Sequence, residues 1–112
     1  METHQALEAL RALSQDSRLA AFRLLVRAGP AGLSVGKLRE RLGLPPATLS
    51  AHLNVLRAAG LAIDTREGRV IRVRAHYPQM NALLAYLTEN CCAGDDCSPS
   101  PECCPQPTGA TP

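Results

Sequence analysis

The sequence contains very few aromatic residues: it has no tryptophan and one phenylalanine, and aromatics make up 3% of its 112 residues. The core must therefore be built from leucine, alanine and valine, a composition that suits packed helices better than a β-sandwich or barrel. A chain of this length has room for one domain. Because so small a domain buries only about two-thirds of the surface that its unfolded chain exposes, dimerisation would stabilise it.

Long apolar runs are also lacking. No window is long enough to cross a bilayer, and the N-terminus lacks the basic stretch and apolar run of a signal peptide. We therefore expect a cytoplasmic protein with no membrane partner. Cysteine is absent from the first 90 residues, and all five cysteines lie in the last 22. In a reducing compartment, clustered cysteines indicate metal binding or thiol chemistry before they indicate disulfides.

The formal net charge of +2 is unevenly distributed along the chain. Residues 1–89 carry all 12 lysines and arginines and 7 of the 10 acidic residues, whereas residues 90–112 carry three acidic residues and no basic one. Eight basic and three acidic residues lie between positions 34 and 74. This segment predicts either a phosphate-binding surface or an ordinary solvated face.

The spacing of apolar residues predicts five helices and one β-hairpin. The first four helices are expected over residues 4–14, from a cap at Asp16 or Ser17 to Gly29-Pro30, from Ser34 to Leu42, and from Pro46 to Gly60. Two β-rich runs at 62–66 and 70–74 predict a two-stranded hairpin with one apolar and one basic face. A last helix follows Pro78 and ends near Asn90. We expect a folded domain over residues 1–90 and a flexible cysteine-rich tail over residues 91–112.

The third and fourth helices are joined by the short turn Gly43-Leu44-Pro45, which predicts a helix-turn-helix, and the hairpin after them predicts a wing. The fold class is therefore mainly α with a two-stranded hairpin, a dimeric winged helix-turn-helix. With Leu49, Leu53 and Leu56 in the core, the opposite face of the fourth helix carries small and hydrogen-bonding side chains that suit a major groove.

We predict that this face and the wing tip contact double-stranded operator DNA. The predicted contact residues are Ala47, Thr48, Ser50, Ala51, Asn54, Arg57, Arg66 and Arg69. His52 lies at the edge of the core stripe and is predicted to be a partly buried structural histidine.

Residues 49–61 read Leu-Ser-Ala-His-Leu-Asn-Val-Leu-Arg-Ala-Ala-Gly-Leu and resemble the recognition helix of the ArsR/SmtB family of metal-responsive repressors. Asp16-Ser17-Arg18-Leu19 and Arg66-Glu67-Gly68-Arg69 are similar to the start of that family's second helix and to its wing. The resemblance implies a homodimer formed through the first and last helices, which represses its own operon until an inducer binds. It implies no enzymatic activity and no catalytic cofactor.

The chain departs from the family at two known ligand sites. Ser34-Val35-Gly36 stands where many members carry a Cys-x-Cys pair, and residues 79–90 lack the histidines and aspartates with which others bind zinc. Cys91, Cys92 and Cys97 instead resemble a subset of arsenic repressors with a vicinal pair and a nearby third thiol. The resemblance therefore implies that As(III), and with it Sb(III), is the inducer, with Cys103 and Cys104 as weaker candidates for the third ligand.

Other functions remain open at this point. A repressor of the same fold could respond to zinc or cadmium, or to oxidation that pairs Cys91 or Cys92 with Cys103 or Cys104. The tail could also buffer metal on an unrelated scaffold. An arsenate reductase is disfavoured, because the sequence has no anion-binding loop followed by a helix N-terminus.

Overall fold

The computed structural model describes residues 1–91, which form five helices and three strands. In chain order these are α1 (Thr3–Leu13), α2 (Asp16–Ala28), β1 (Leu33–Ser34), α3 (Val35–Leu42), α4 (Pro46–Ala58), β2 (Ala62–Glu67), β3 (Val70–Ala75) and α5 (Tyr77–Leu87). None of the described helices is long and apolar enough to cross a membrane. Of the predicted metalloid ligands, Cys92, Cys97, Cys103 and Cys104 lie outside the described residues.

The helix-turn-helix and the wing share one core. α2 packs against α1, α3, α4 and β3, so it lies at the centre of the fold. The predicted inward face of α4 is confirmed, since Leu49, Leu53 and Leu56 are at most 1% exposed. The other large side chains that are fully buried are Leu25, Leu38, Leu61 and Val73. Leucine, alanine and valine thus make up nearly all of the interior, as the sequence predicts, and Phe22 is the one aromatic residue among the buried ones.

The sheet has three strands and not the predicted two. β2 and β3 form the predicted antiparallel hairpin, and the short strand β1 adds to the free side of β3, with Leu33 opposite Val73. Gly32 permits this approach, because it adopts φ +69° and a Cβ there would collide with the carbonyl oxygen of Val73. Two residues are too few for a period-two pattern, so the sequence offered no signal for β1.

The helix ends differ in detail from the prediction. Gln15 caps α2 by accepting a hydrogen bond from the backbone of Arg18 at 2.8 Å, in place of Asp16 or Ser17. The side chain of Ser34 caps α3 as expected. α5 begins at Tyr77, before Pro78, and ends at Leu87 instead of near Asn90. Proline fits the first turn of a helix because its missing N–H would have no partner there.

α1 turns its alanines inward. Ala6, Ala9 and Ala12 are at most 2% exposed, whereas Leu7 and Leu10 are 44% and 40% exposed. Small side chains allow α1 to lie close to the body of the domain. Its large apolar side chains are therefore left on the outer surface.

Candidate nucleic-acid interface

A tight turn joins α3 to α4, which is the second helix of the helix-turn-helix and is called the recognition helix below. Gly43 ends α3 in the left-handed conformation at φ +65°, and its N–H donates to the carbonyl oxygen of Arg39 at 2.8 Å. Two prolines follow, and Pro46 occupies the first turn of α4. Because proline fixes φ near the helical value, α4 starts abruptly and holds its first residues at the protein surface.

The outer face of α4 is polar and exposed. Its predicted DNA-contacting side chains are all exposed except that of Arg57, which is partly buried; the exposed ones are Ala47, Thr48, Ser50, Ala51 and Asn54. His52 is half-buried, as predicted. The structure therefore presents on one helix face the small and hydrogen-bonding groups that a major groove accepts.

Arg57 differs from the other predicted contacts because its side chain bridges two residues of the protein, one of which is the predicted contact Asn54. Its Nε donates to Asp64 Oδ1 at 3.0 Å, and its Nη1 donates to Asn54 Oδ1 at 2.9 Å. The side chain of Arg57 is 29% exposed, and that of Asp64 is 40% exposed. Arg57 thus joins the outer face of α4 to the first strand of the wing.

The four arginines of the wing fall into two pairs. Arg72 donates to Glu67 Oε1 at 3.1 Å, and Arg74 donates to Thr65 Oγ1 at 3.1 Å. Arg66 and Arg69 are exposed, and within residues 1–91 neither has a hydrogen bond or an ion pair. The two arginines at the wing tip are therefore available to a phosphate or a minor groove.

The start of α5 is fixed to the end of the recognition helix. The backbone N–H of His76 donates to Leu61 O at 2.8 Å, and its Nδ1 donates to Gly60 O at 3.0 Å. Gln79 Nε2 reaches Ala59 O at 3.4 Å. On the other side, the hydroxyl of Tyr77 donates to the carbonyl oxygen of Val26 in α2 at 2.8 Å. The start of α5 is therefore hydrogen-bonded both to the turn that follows α4 and to α2.

Cys91 lies four residues beyond the end of α5 and is partly buried. Its backbone N–H donates to the carbonyl oxygen of Thr88 at 3.1 Å, so it is joined to the end of α5 through the turn formed by residues 88–90. Within residues 1–91, no three side chains of histidine, cysteine, aspartate or glutamate come together in a way that could hold a metal ion.

Comparison with known proteins agrees with this geometry. A family model described as a helix-turn-helix domain matches residues 13–66. An ArsR-like transcriptional regulator from Rhodococcus sp. RHA1 is 31% identical, with a TM-score of 0.68, over 75% of this chain and 76% of that chain. The chain belongs to the ArsR family of transcriptional regulators. No curated protein sequence matches this ArsR-family chain significantly.

Two further structures are similar to this ArsR-family regulator. HlyU from Vibrio cholerae N16961 is 32% identical over 78% of this chain and 97% of its own, with a TM-score of 0.57. A homodimeric winged helix-turn-helix DNA-binding domain from Mycobacterium bovis is 24% identical over 78% and 81%, with a TM-score of 0.61, and shares the fold. The ArsR family consists of regulators of transcription and not of enzymes, and the winged helix-turn-helix is confirmed.

The sequence did not reveal the bond between Arg57 and Asp64. The two residues belong to different elements, α4 and β2, on opposite sides of the Gly60 turn, so no common period relates them. Their opposite charges were the one available signal, and β2 also carries Glu67, so charge alone does not select Asp64 as the partner of Arg57.

Proposed function

We propose that this ArsR-family regulator is an arsenite-responsive repressor, which binds operator DNA as a homodimer and releases it when As(III) binds Cys91, Cys92 and Cys97. The observation that carries the proposal is the position of the cysteines. All five follow α5 within the last 22 residues, and none occurs in the 90 residues before them. Sb(III), which has the same preference for thiols, is expected to act in the same way.

The chemistry of the tail favours As(III) over hard cations. Soft thiolates select soft acceptors, and As(III) takes three thiolates in a pyramid. Cys91 and Cys92 supply two adjacent sulfurs, and the residues between Cys92 and Cys97 include a glycine that allows the chain to fold back. A tetrahedral zinc site usually shows a Cys-x₂-Cys spacing, often with histidine, and neither is present in the tail.

DNA recognition is assigned to the exposed face of α4 and to the wing tip. We infer that α4 enters the major groove with Thr48, Ser50 and Asn54 toward the bases, while Arg66 and Arg69 reach the backbone or the minor groove. The two recognition helices of a dimer would lie about one DNA turn, or roughly 34 Å, apart on a pseudo-palindromic site.

Dimerisation is assigned to α1 and α5, whose outer faces are apolar. Leu7, Leu10, Leu84 and Leu87 are between 40% and 54% exposed. A groove of about 310 Å³ between α2 and α5 adjoins Leu84 and is lined mainly by apolar side chains. A second copy of the chain would cover this surface, in keeping with the homodimeric state named for the Mycobacterium bovis domain.

The contacts of α5 support a route from ligand to DNA. Its C-terminal end leads to Cys91, and its N-terminal end holds the last turn of α4 through His76 and Gln79. α5 spans 11 residues, or about 16 Å at 1.5 Å per residue. We infer that As(III) bound beyond one end shifts the preferred dimer arrangement, so that the recognition helices fit the operator less well.

The test is fluorescence anisotropy of the reduced protein on labelled DNA from its own promoter, titrated in parallel with arsenite, zinc and cadmium. Wild type should bind and then release DNA at low arsenite stoichiometry. Cys91→Ser and Cys92→Ser should bind DNA normally and fail to release it. Cys104→Ser is the matched control, which changes one thiol in the same segment and should respond like wild type.

Three outcomes would contradict the proposal. Normal arsenite release by Cys91→Ser or Cys92→Ser would show that the site is wrong. Release by zinc or cadmium at lower concentration than by arsenite would indicate a metal repressor. Release by peroxide but not by arsenite, reversed by a reductant, would indicate a redox switch. Comparing Cys97→Ser with Cys103→Ser then identifies the third thiol.

A further inference from the structure

Asn54, Arg57 and Asp64 form a connected chain of hydrogen bonds at the surface that faces DNA. Arg57 lies in the middle and donates to both neighbours, at 2.9 Å to Asn54 Oδ1 and at 3.0 Å to Asp64 Oδ1. The carboxylate comes from β2 and the other two side chains come from α4. The wing therefore fixes a side chain that lies on the outer face of the recognition helix.

The chemistry of the guanidinium determines how Asn54 is oriented. An arginine side chain offers only hydrogen-bond donors, so the atom that Asn54 turns toward Arg57 must be its oxygen. The amide nitrogen of Asn54, with its two donor hydrogens, has no hydrogen-bond partner within residues 1–91. Since Asn54 is exposed, this nitrogen is the group left for an external partner.

We propose that Asp64 and Arg57 hold Asn54 as a hydrogen-bond donor and thereby make guanine the base that it reads. The inference rests on the proposed entry of α4 into the major groove. Guanine presents two acceptors there, N7 and O6, which match the amide nitrogen. An asparagine reads adenine through its oxygen and nitrogen together, and here one of the two lone pairs of the oxygen already accepts from Arg57, whereas both hydrogens of the nitrogen are unused.

This role differs from a phosphate contact by Arg57. The charge of Arg57 is paired with that of Asp64, and its side chain is only 29% exposed. Asp64 acts through Arg57 and does not touch the base, so it is a positioning residue. Its removal should change which base is preferred, whereas loss of a phosphate contact weakens binding to all sequences alike.

The wing contains a matched ion pair that serves as a control. Arg72 donates to Glu67 at 3.1 Å, and Glu67 lies on β2, as Asp64 does. Glu67→Gln and Asp64→Asn each remove one negative charge from the same strand. Both should therefore raise affinity for all DNA sequences by a similar factor, and only Asp64→Asn should alter the base read by Asn54.

The experiment measures the affinity of the full-length dimer for a set of operators that carry each of the four base pairs at every position. Wild type should prefer guanine by about tenfold at one position of each half-site, and Asn54→Ala should lose that preference alone. Arg57→Lys keeps the positive charge but loses the planar guanidinium that donates to both Asn54 and Asp64. The base preference at that position of the operator should therefore shift from guanine toward adenine. Asp64→Asn should shift the base preference in the same direction by a smaller factor.

The proposal is overturned if the position that depends on Asn54 prefers adenine in wild type, or if Glu67→Gln shifts it as much as Asp64→Asn does. A wild type without any sequence preference would overturn this proposal and the proposed repressor together. Normal operator reading without release by arsenite would overturn the arsenite switch alone. Thermal melting of each variant separates loss of reading from loss of folding.

Discussion

Helices α4 and α5 are of similar length, but they expose opposite kinds of surface. α4 buries three leucines almost completely and turns a polar face outward. α5 buries only Leu83, which is 5% exposed, and leaves Leu84 and Leu87 each 54% exposed. Val55, at 39%, is the one large apolar side chain that α4 leaves exposed.

The difference indicates what each helix meets. Exposed polar groups keep their hydration until a partner with matching donors and acceptors replaces it, which is how DNA is read. Covering adjacent exposed leucines with another apolar surface lowers the free energy of the system, and this drives the association of subunits. The two faces therefore support the proposal that α4 meets DNA and α5 meets a second subunit, and each part of the proposal can be tested separately.

The largest effect is expected from changing both exposed leucines of α5. In the proposed dimer Leu84→Glu with Leu87→Glu changes four leucines, each 54% exposed in the protomer, so covering each one is worth about half of 1.5 to 3 kcal/mol. The dissociation constant of the dimer should rise by about 10³-fold or more, as measured by analytical ultracentrifugation. Val70→Glu, which changes an apolar residue that is 48% exposed in the wing, is the control and should leave the dimer intact. A double variant that remains dimeric would refute the assignment of α5.

The next effect concerns the inner face of α4. Leu53 is 1% exposed, so Leu53→Ala should lower the free energy of unfolding by about 2 to 5 kcal/mol through lost burial and a residual cavity. Urea denaturation at fixed protein concentration measures it. Thr48→Ala, on the exposed face of the same helix, should change the free energy of unfolding by less than about 0.5 kcal/mol. Equal effects of the two substitutions would mean that α4 is oriented differently.

The smallest effect is expected in the wing. Arg69→Ala should weaken binding to all DNA sequences and lower the slope of log K against log salt by about one for each protomer. Arg72→Ala removes an arginine that Glu67 already pairs, so its effect on the slope should be smaller. Anisotropy titrations from low to moderate salt measure both. A larger change with Arg72→Ala would show that the wing-tip arginines do not reach the DNA.

Repeating patterns were predictable from the sequence, and single contacts were not. Leu49, Leu53 and Leu56 recur at helical spacing, and this alone fixes which face of α4 is buried and which is exposed. The inward face of α1 was less predictable, because Ala6 and Ala9 lie beside leucines and either set can form an apolar stripe. Packing decided between them, since only the small side chains allow close approach to the body.

The contacts that tie elements together had no sequence signal. β1 consists of two residues and forms only because Gly32 lets the chain come close to β3. The bond between Arg57 and Asp64 depends on the path of the chain around Gly60. For the same reason the sequence predicts Asn54 as a DNA contact but not its hydrogen bond to Arg57, on which the proposed preference for guanine rests.

Ser34 has two roles that join the wing to the helix-turn-helix. Its backbone pairs with Arg72 in the sheet, and its side chain caps α3, which begins at the next residue. No linker lies between these two parts, so the wing has no hinge on this side. When the groove width of a DNA site does not match the distance between the wing and the helix-turn-helix, the DNA must deform to fit the protein. Sites that deform easily should then bind better, even at base pairs that no side chain contacts.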